Sequence, residues 1–160
     1  HGFDDQGSQS DAIGNMKMWW NDSDLKNFKS KTEKIIEQFN NYTLLDSLHV
    51  NGNMTQGENI ADLGGLTMAY RAYMRSLGGT KSKMIDGLTG EQRFFVAWTQ
   101  GWKAKVRDEE TKRLLTVDYH SPAYLRAFAP LTNMKEFYEA FGIKPGDKMY
   151  RADDKRVEIW

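Results

Sequence analysis

Apolar or near-apolar residues recur at Leu25, Phe28, Thr32, Ile35, Phe39 and Tyr42. This 3-4-3-4 spacing gathers them on one face of an α-helix and leaves lysines and glutamates on the other. Asp22 or Ser23 is the expected N-cap. Asn51-Gly52 then reads as a tight turn. A second helix is predicted from near Gly57 to about Leu77, burying Leu63, Leu66, Tyr70 and Met74 and ending at Gly78-Gly79. The polar stretch Lys81 to Gly90 reads as a loop. A third helix, about Gly90 to Arg107, carries Phe94, Phe95, Trp98 and Trp102 on one side. Shorter helical pieces are expected at Asp108 to Thr116, Pro122 to Leu131 and Asn133 to Phe141. The tail Val157-Glu158-Ile159-Trp160 alternates as a docked terminus would. With only 3 prolines in 160 residues, no internal repeat and no shift of composition, the expected fold is mainly α, a single domain over residues 1–160.

Composition removes several function classes. Lys plus Arg number 22 and Asp plus Glu number 22, so the formal net charge is zero. A nucleic-acid binder needs a basic surplus against phosphate, and so does a polybasic membrane-surface module. No run approaches the roughly 18 apolar residues of a membrane-spanning helix. The absence of cysteine removes disulfide scaffolds, thiolate zinc sites and cysteine nucleophiles together. Apolar content of 39% with 12% aromatics suits a packed core rather than disorder. The chain opens at His1-Gly2-Phe3-Asp4-Asp5, without the charged start and apolar run of a signal peptide. It is therefore expected to be a piece of a longer protein, and its N-terminus says nothing of its localisation.

The segment richest in chemistry is Gly57-Glu58-Asn59-Ile60-Ala61-Asp62-Leu63-Gly64-Gly65. Glu58 and Asp62 stand four apart and so share a helix face, near the predicted N-terminus where the dipole favours negative charge. Spacing alone allows a solvated acidic turn. The sharper reading makes Glu58 a metal ligand with Asp62 orienting a histidine ligand. Two successive glycines inside a helix cost roughly 1 kcal/mol each relative to alanine. They would make sense if another backbone packed close by. Of the three histidines, His49 reads as a surface or satisfied core residue. His120 lies in Asp118-Tyr119-His120-Ser121-Pro122, with Arg126 six residues on. An aspartate can hold one ring nitrogen of such a histidine and favour its charged form, which with a guanidinium would stabilise an oxyanion or grip a carbonyl. The plainer reading is a turn histidine ahead of a Pro-started helix. Ser121 beside His120 does not make a catalytic triad, and no nucleophile-elbow pattern surrounds it.

Several of these blocks together resemble a known family. His1-Gly2-Phe3-Asp4-Asp5-Gln6-Gly7 looks like the stretch that follows the HExxH zinc motif in neprilysin-like and endothelin-converting-enzyme-like metalloendopeptidases. Val50-Asn51-Gly52, Gly57 to Gly65, Asp86-Gly87 with Gln92-Arg93-Phe94-Phe95, His120-Ser121-Pro122 and the Ile159-Trp160 end follow in the same order. The resemblance covers essentially all 160 residues. It implies the helical C-terminal part of a thermolysin-like zinc peptidase catalytic domain, one zinc ion and a peptide substrate. By position, His1 resembles the second histidine of HExxH and Glu58 the third protein ligand. Asp62 resembles the carboxylate that orients a ligand, and His120 the histidine that stabilises the tetrahedral intermediate, with Asp118 placed to orient it. Arg126 resembles the arginine that binds the substrate carbonyl.

In an HExxH helix the first histidine and the general-base glutamate lie four and three residues before the second histidine, positions that would precede residue 1 here. The family's upstream strand and large helical domain are likewise not among these residues. Two ligands should hold zinc weakly, because protein zinc sites normally have at least three. The 160 residues by themselves are thus expected to be inactive unless the upstream part of the same peptidase completes the site, and exposed packing surfaces would favour self-association. Extracellular animal relatives rely on disulfides, so a bacterial member is expected, periplasmic, envelope-bound or extracellular. The alternative is a metal-free helical interaction domain that keeps the fold and uses exposed aromatics such as Trp19-Trp20 or Phe94-Phe95 to bind a partner. Convergence of Glu58, Asp62, His120 and Arg126 would favour the peptidase, and scattering the interaction domain.

Overall fold

Helix α1, Asp22–Asn40, forms where the spacing predicts it, with its cap one residue earlier than the first expected position. The side chain of Asn21, rather than Asp22 or Ser23, accepts the Asp24 N–H at 2.8 Å. Phe28, Thr32, Ile35, Gln38 and Phe39 are its buried residues, and Leu25 is half-buried. The computed structural model describes residues 1–159; Trp160 lies outside the described residues, and with it the end of the alternating tail.

After α1 a two-stranded antiparallel hairpin follows, β1 (Thr43–Leu44) and β2 (Leu48–His49), with Thr43 opposite His49 and Leu44 opposite Leu48. Leu45 and Asp46 turn it with φ of 49° and 66°. Helix α2, Gly52–Ser76, is longer at its start than the sequence suggested. Asn51-Gly52 is no free turn: the Asn51 side chain accepts the Met54 N–H at 3.0 Å, and its carbonyl accepts from Thr55 N at 3.1 Å. Asn51 therefore acts as an N-cap, which asparagine does well. Three further helices complete the helical content after α3 (Gly90–Gly101): α4 (Asp108–Val117), α5 (Ala123–Phe128) and α6 (Lys135–Phe141), with short 3-10 turns at Gly7–Gln9 and Leu131–Asn133. The fold is mainly α, as expected. No helix of the described residues is long and apolar enough to cross a membrane.

Contacts divide the chain into two units. The first comprises residues 1–62, 106–122 and the tail from 157. Its buried apolar residues include Phe28, Ile35, Phe39, Val50, Ile60, Val157 and Ile159. The tail is docked through Val157 and Ile159 with Glu158 facing out, and Lys31 Nζ of α1 donates to the Ile159 carbonyl at 3.3 Å.

The second unit comprises residues 63–105 and 123–156. Leu63, Leu66 and Tyr70 of α2 are buried there, whereas Met74 is 37% exposed. Tyr73 takes the next contact instead, stacking on Phe94 at 5.7 Å. Phe95 is the centre of an aromatic cluster, stacked on Tyr70 at 5.2 Å and edge-on to Phe137 at 5.5 Å. A capping box starts α3: Thr89 accepts from the Gln92 N–H, and Gln92 Oε1 accepts from the Thr89 N–H at 3.0 Å. The helix stops at Gly101 rather than Arg107, because residues 103–107 are all exposed and offer no apolar face to bury. Asp86 and Gly87 take left-handed φ of 52° and 75° between the bridged residues Ile85 and Leu88, so the Asp-Gly pair makes a tight turn. Arg93 braces that loop by donating to the Lys83 and Leu88 carbonyls and to Ser82 Oγ.

Candidate metal and peptide site

The first unit brings two histidines to one carboxylate. His1 Nε2 lies 3.4 Å from Glu58 Oε1, and His120 Nε2 lies 3.4 Å from Glu58 Oε2. Each ring is held from behind by an aspartate. His1 Nδ1 meets Asp4 Oδ2 at 2.7 Å, and His120 Nδ1 meets Asp118 Oδ1 at 2.8 Å. A carboxylate only accepts, so both Nδ1 atoms are the donors and both Nε2 atoms turn toward Glu58.

Local sequence builds each arm. The His1-Gly2-Phe3-Asp4 turn closes with Asp4 N–H donating to the His1 carbonyl at 3.1 Å. Asp4 is buried and its other oxygen accepts from Gln6 and Gly7 N–H, so it is fixed from two sides. The turn can approach α2 because residue 57 has no side chain: a Cβ there would meet Asp5 Oδ1 at 2.7 Å. Burial, and secondly the neighbouring Asp4 charge, push the Asp5 carboxyl above its ordinary pKa. On the other arm the Asp118 Oδ1 accepts from both the backbone N–H and the ring of His120. The backbone hydrogen bond from His120 chiefly holds the Asp118 pKa below the ordinary value; burial opposes it, and the His120 ring, its charge and Arg113 add smaller lowering effects.

Of the six residues singled out in the sequence, His1, Glu58, Asp118 and His120 meet within this unit. Asp62 sits one turn beyond Glu58 on α2 and is buried, in the second half of the helix's first three turns rather than at its N-terminus, since α2 begins at Gly52. Arg126 belongs to the second unit, on α5, where its guanidinium lies 4.2 Å over the Trp102 ring and its carbonyl accepts from Trp98 Nε1 at 3.2 Å. His49 is exposed and pairs with Thr43 Oγ1 at 3.4 Å. The close backbone approach expected at the glycine pair is not found at Gly65, where an added Cβ would have open space. Sequence reasoning missed Asp4 as the partner of His1. The three-residue offset within a Gly-containing turn was the available signal.

Among the described residues no group of three or more histidine, aspartate or glutamate side chains is arranged to hold a metal ion. The His1 and Glu58 donors nonetheless suit one side of a zinc site. Ligands about 2.0–2.1 Å from a tetrahedral zinc stand roughly 3.3–3.4 Å apart, and the observed separation is 3.4 Å.

The chain as a whole is similar to known proteins. A family profile described as Peptidase family M13 matches residues 1–157. The chain is 41% identical to human endothelin-converting enzyme 1, over 100% of its own length and 21% of that protein's. It is 39% identical to a neutral endopeptidase of Lactococcus lactis subsp. cremoris, over 100% of its length and 24% of the relative's. Among solved structures, the zinc metalloprotease of Mycobacterium tuberculosis in complex with an inhibitor superposes with a TM-score of 0.97 at 44% identity, covering 100% of this chain and 25% of that one. The chain belongs to peptidase family M13, a family with zinc metalloproteases among its members. It spans about a fifth to a quarter of the length of the relatives it matches.

Proposed function

We propose that these residues form part of the catalytic centre of a zinc metalloendopeptidase that hydrolyses oligopeptides. The observation that carries this reading is the pair of Asp-held imidazoles converging on Glu58. His1 and Glu58 would hold the metal, with Asp4 keeping the His1 ring turned so that Nε2 is presented. A zinc ion there supplies Lewis-acid polarisation of the peptide carbonyl and lowers the pKa of water. His120 has a different task. Its Nδ1 is committed to Asp118, which leaves Nε2 to donate to the oxygen on which negative charge develops. Arg126 is assigned the substrate carbonyl and Asp62 a ligand-orienting role on the family likeness. The first histidine of HExxH and its general-base glutamate would come from residues preceding His1 in a longer chain, which the greater length of the relatives supports.

The test is metal content and peptide cleavage, measured on the 160-residue chain and on a longer form in which a His-Glu-x-x segment precedes His1. The expected result is about one zinc per chain and chelator-sensitive cleavage for the longer form, with neither for the shorter. Chelator-sensitive cleavage by the shorter form would overturn the division of ligands. Stoichiometric zinc in the longer form without cleavage would overturn the peptidase reading in favour of an interaction domain.

A further inference from the structure

A chain of buried hydrogen bonds runs from the start of α2 to the His120 loop. Thr55 Oγ1 donates to the Asn51 carbonyl at 3.0 Å, Asn59 Nδ2 donates to Thr55 Oγ1 at 3.0 Å, and Ser121 Oγ donates to Asn59 Oδ1 at 2.8 Å. Thr55, Asn59 and Ser121 are 2%, 2% and 3% exposed. Each hydroxyl or amide points its proton back toward the capping residue of the helix, so the chain has one direction. Two of its members have neighbours that matter: Asn59 follows Glu58, and Ser121 follows His120.

We propose that Asn59 and Ser121 are positioning residues that set His120 against Glu58. Asp118 fixes the orientation of the imidazole ring about its own loop, because both of its bonds stay within residues 118–120. It does nothing to fix that loop relative to α2. The Ser121–Asn59 bond does, since it is a side-chain hydrogen bond from the His120 loop to the helix that carries Glu58. Three buried polar groups in a row are a costly way to fill a core unless every member is satisfied, and an apolar trio would pack at least as well. Apolar contacts are non-directional, however, and tolerate sliding by fractions of an ångström. A buried hydrogen bond does not, because slippage orphans both partners. The same chain anchors Asn59 to the capped first turn of α2, so the reference for His120 is the helix itself. This inference deepens the proposed function and rests on it only for what His120 does, while the geometry stands apart.

The experiment reads His120 directly, by exchange of its ring Nδ1 proton in 15N spectra of the whole chain, the His120 signal being identified by its loss in His120→Ala. Ser121→Ala should speed that exchange about tenfold or more, while amide protection in α1 and α6 stays at the unsubstituted level. Ser121→Thr, which keeps the hydroxyl, should restore slow exchange. Thr55→Val, two links away and leaving the Ser121–Asn59 bond in place, should have a smaller effect than Ser121→Ala. Unchanged His120 exchange in Ser121→Ala would overturn the proposal, and so would a loss of amide protection spread evenly over the chain or an effect of Thr55→Val equal to that of Ser121→Ala. None of these readings depends on zinc or on cleavage, so a failure of the peptidase assignment leaves them intact.

Discussion

Asp118 spends one oxygen, Oδ1, on two bonds to the same residue, the backbone N–H and the ring of His120. The consequence is a pH dependence whose sign follows from the direction of its shift. Its folded pKa is lowered from 3.8, so the bonds contribute fully above that value and are lost as pH falls through the folded pKa. The groups facing it are His120 and, more weakly, Arg113 of α4. Asp118→Asn should cost roughly 1 kcal/mol near neutral pH, discounted for partial exposure. It should also flatten the decline in stability below about pH 4. Urea denaturation at neutral and acid pH checks this, and an unaltered acid limb would refute it. At this scale the sequence made Asp118 and His120 readable because the pair closes locally. Asp4 was harder, since its role depends on how the turn folds back to place His1 Nδ1 against it.

Helices were readable where a stripe of apolar residues had somewhere to go. α1 follows its 3-4 spacing and differs from expectation by a single capping residue, because Asn21, Asp22 and Ser23 are all competent caps and local sequence does not rank them. α2 begins five residues before the expected Gly57, since Asn51 caps it and the added turn is stabilised by Thr55 rather than by apolar periodicity. The tail of the second unit shows the reverse case. Tyr138 of α6 accepts the Arg151 N–H at 2.6 Å and donates to the Thr132 carbonyl at 2.7 Å, tying residues far apart in sequence through one hydroxyl. Burial raises its pKa. Tyr138→Phe should destabilise the chain by about 1–3 kcal/mol, because two backbone groups lose a hydrogen bond. Equilibrium denaturation measures it, and a change under about 0.5 kcal/mol, the usual size of a neutral surface substitution, would mean that water replaces the hydroxyl.

Taken as a whole, the chain carries zero formal net charge and exposes large apolar side chains, Ile13 at 84% and Met16 at 90% among them. With no net repulsion near neutrality, association should be strongest there and weaken on either side. Light scattering across about pH 5 to about pH 9 should pass through a maximum near pH 7, reduced by Met16→Lys. A flat profile would count against apolar contact as its cause. The helical class, the zero formal charge and the lack of cysteine in these residues follow from the sequence itself, because each rests on residue type or on spacing within one element, whereas the roles proposed for His1, Glu58, Asp118 and His120 came from the family resemblance. Tertiary structure alone decided that a side-chain-free position at Gly57 lets the His1 turn reach α2, and that Ser121 meets Asn59. Those contacts join segments as much as 62 residues apart, and no local periodicity encodes a distance across the fold.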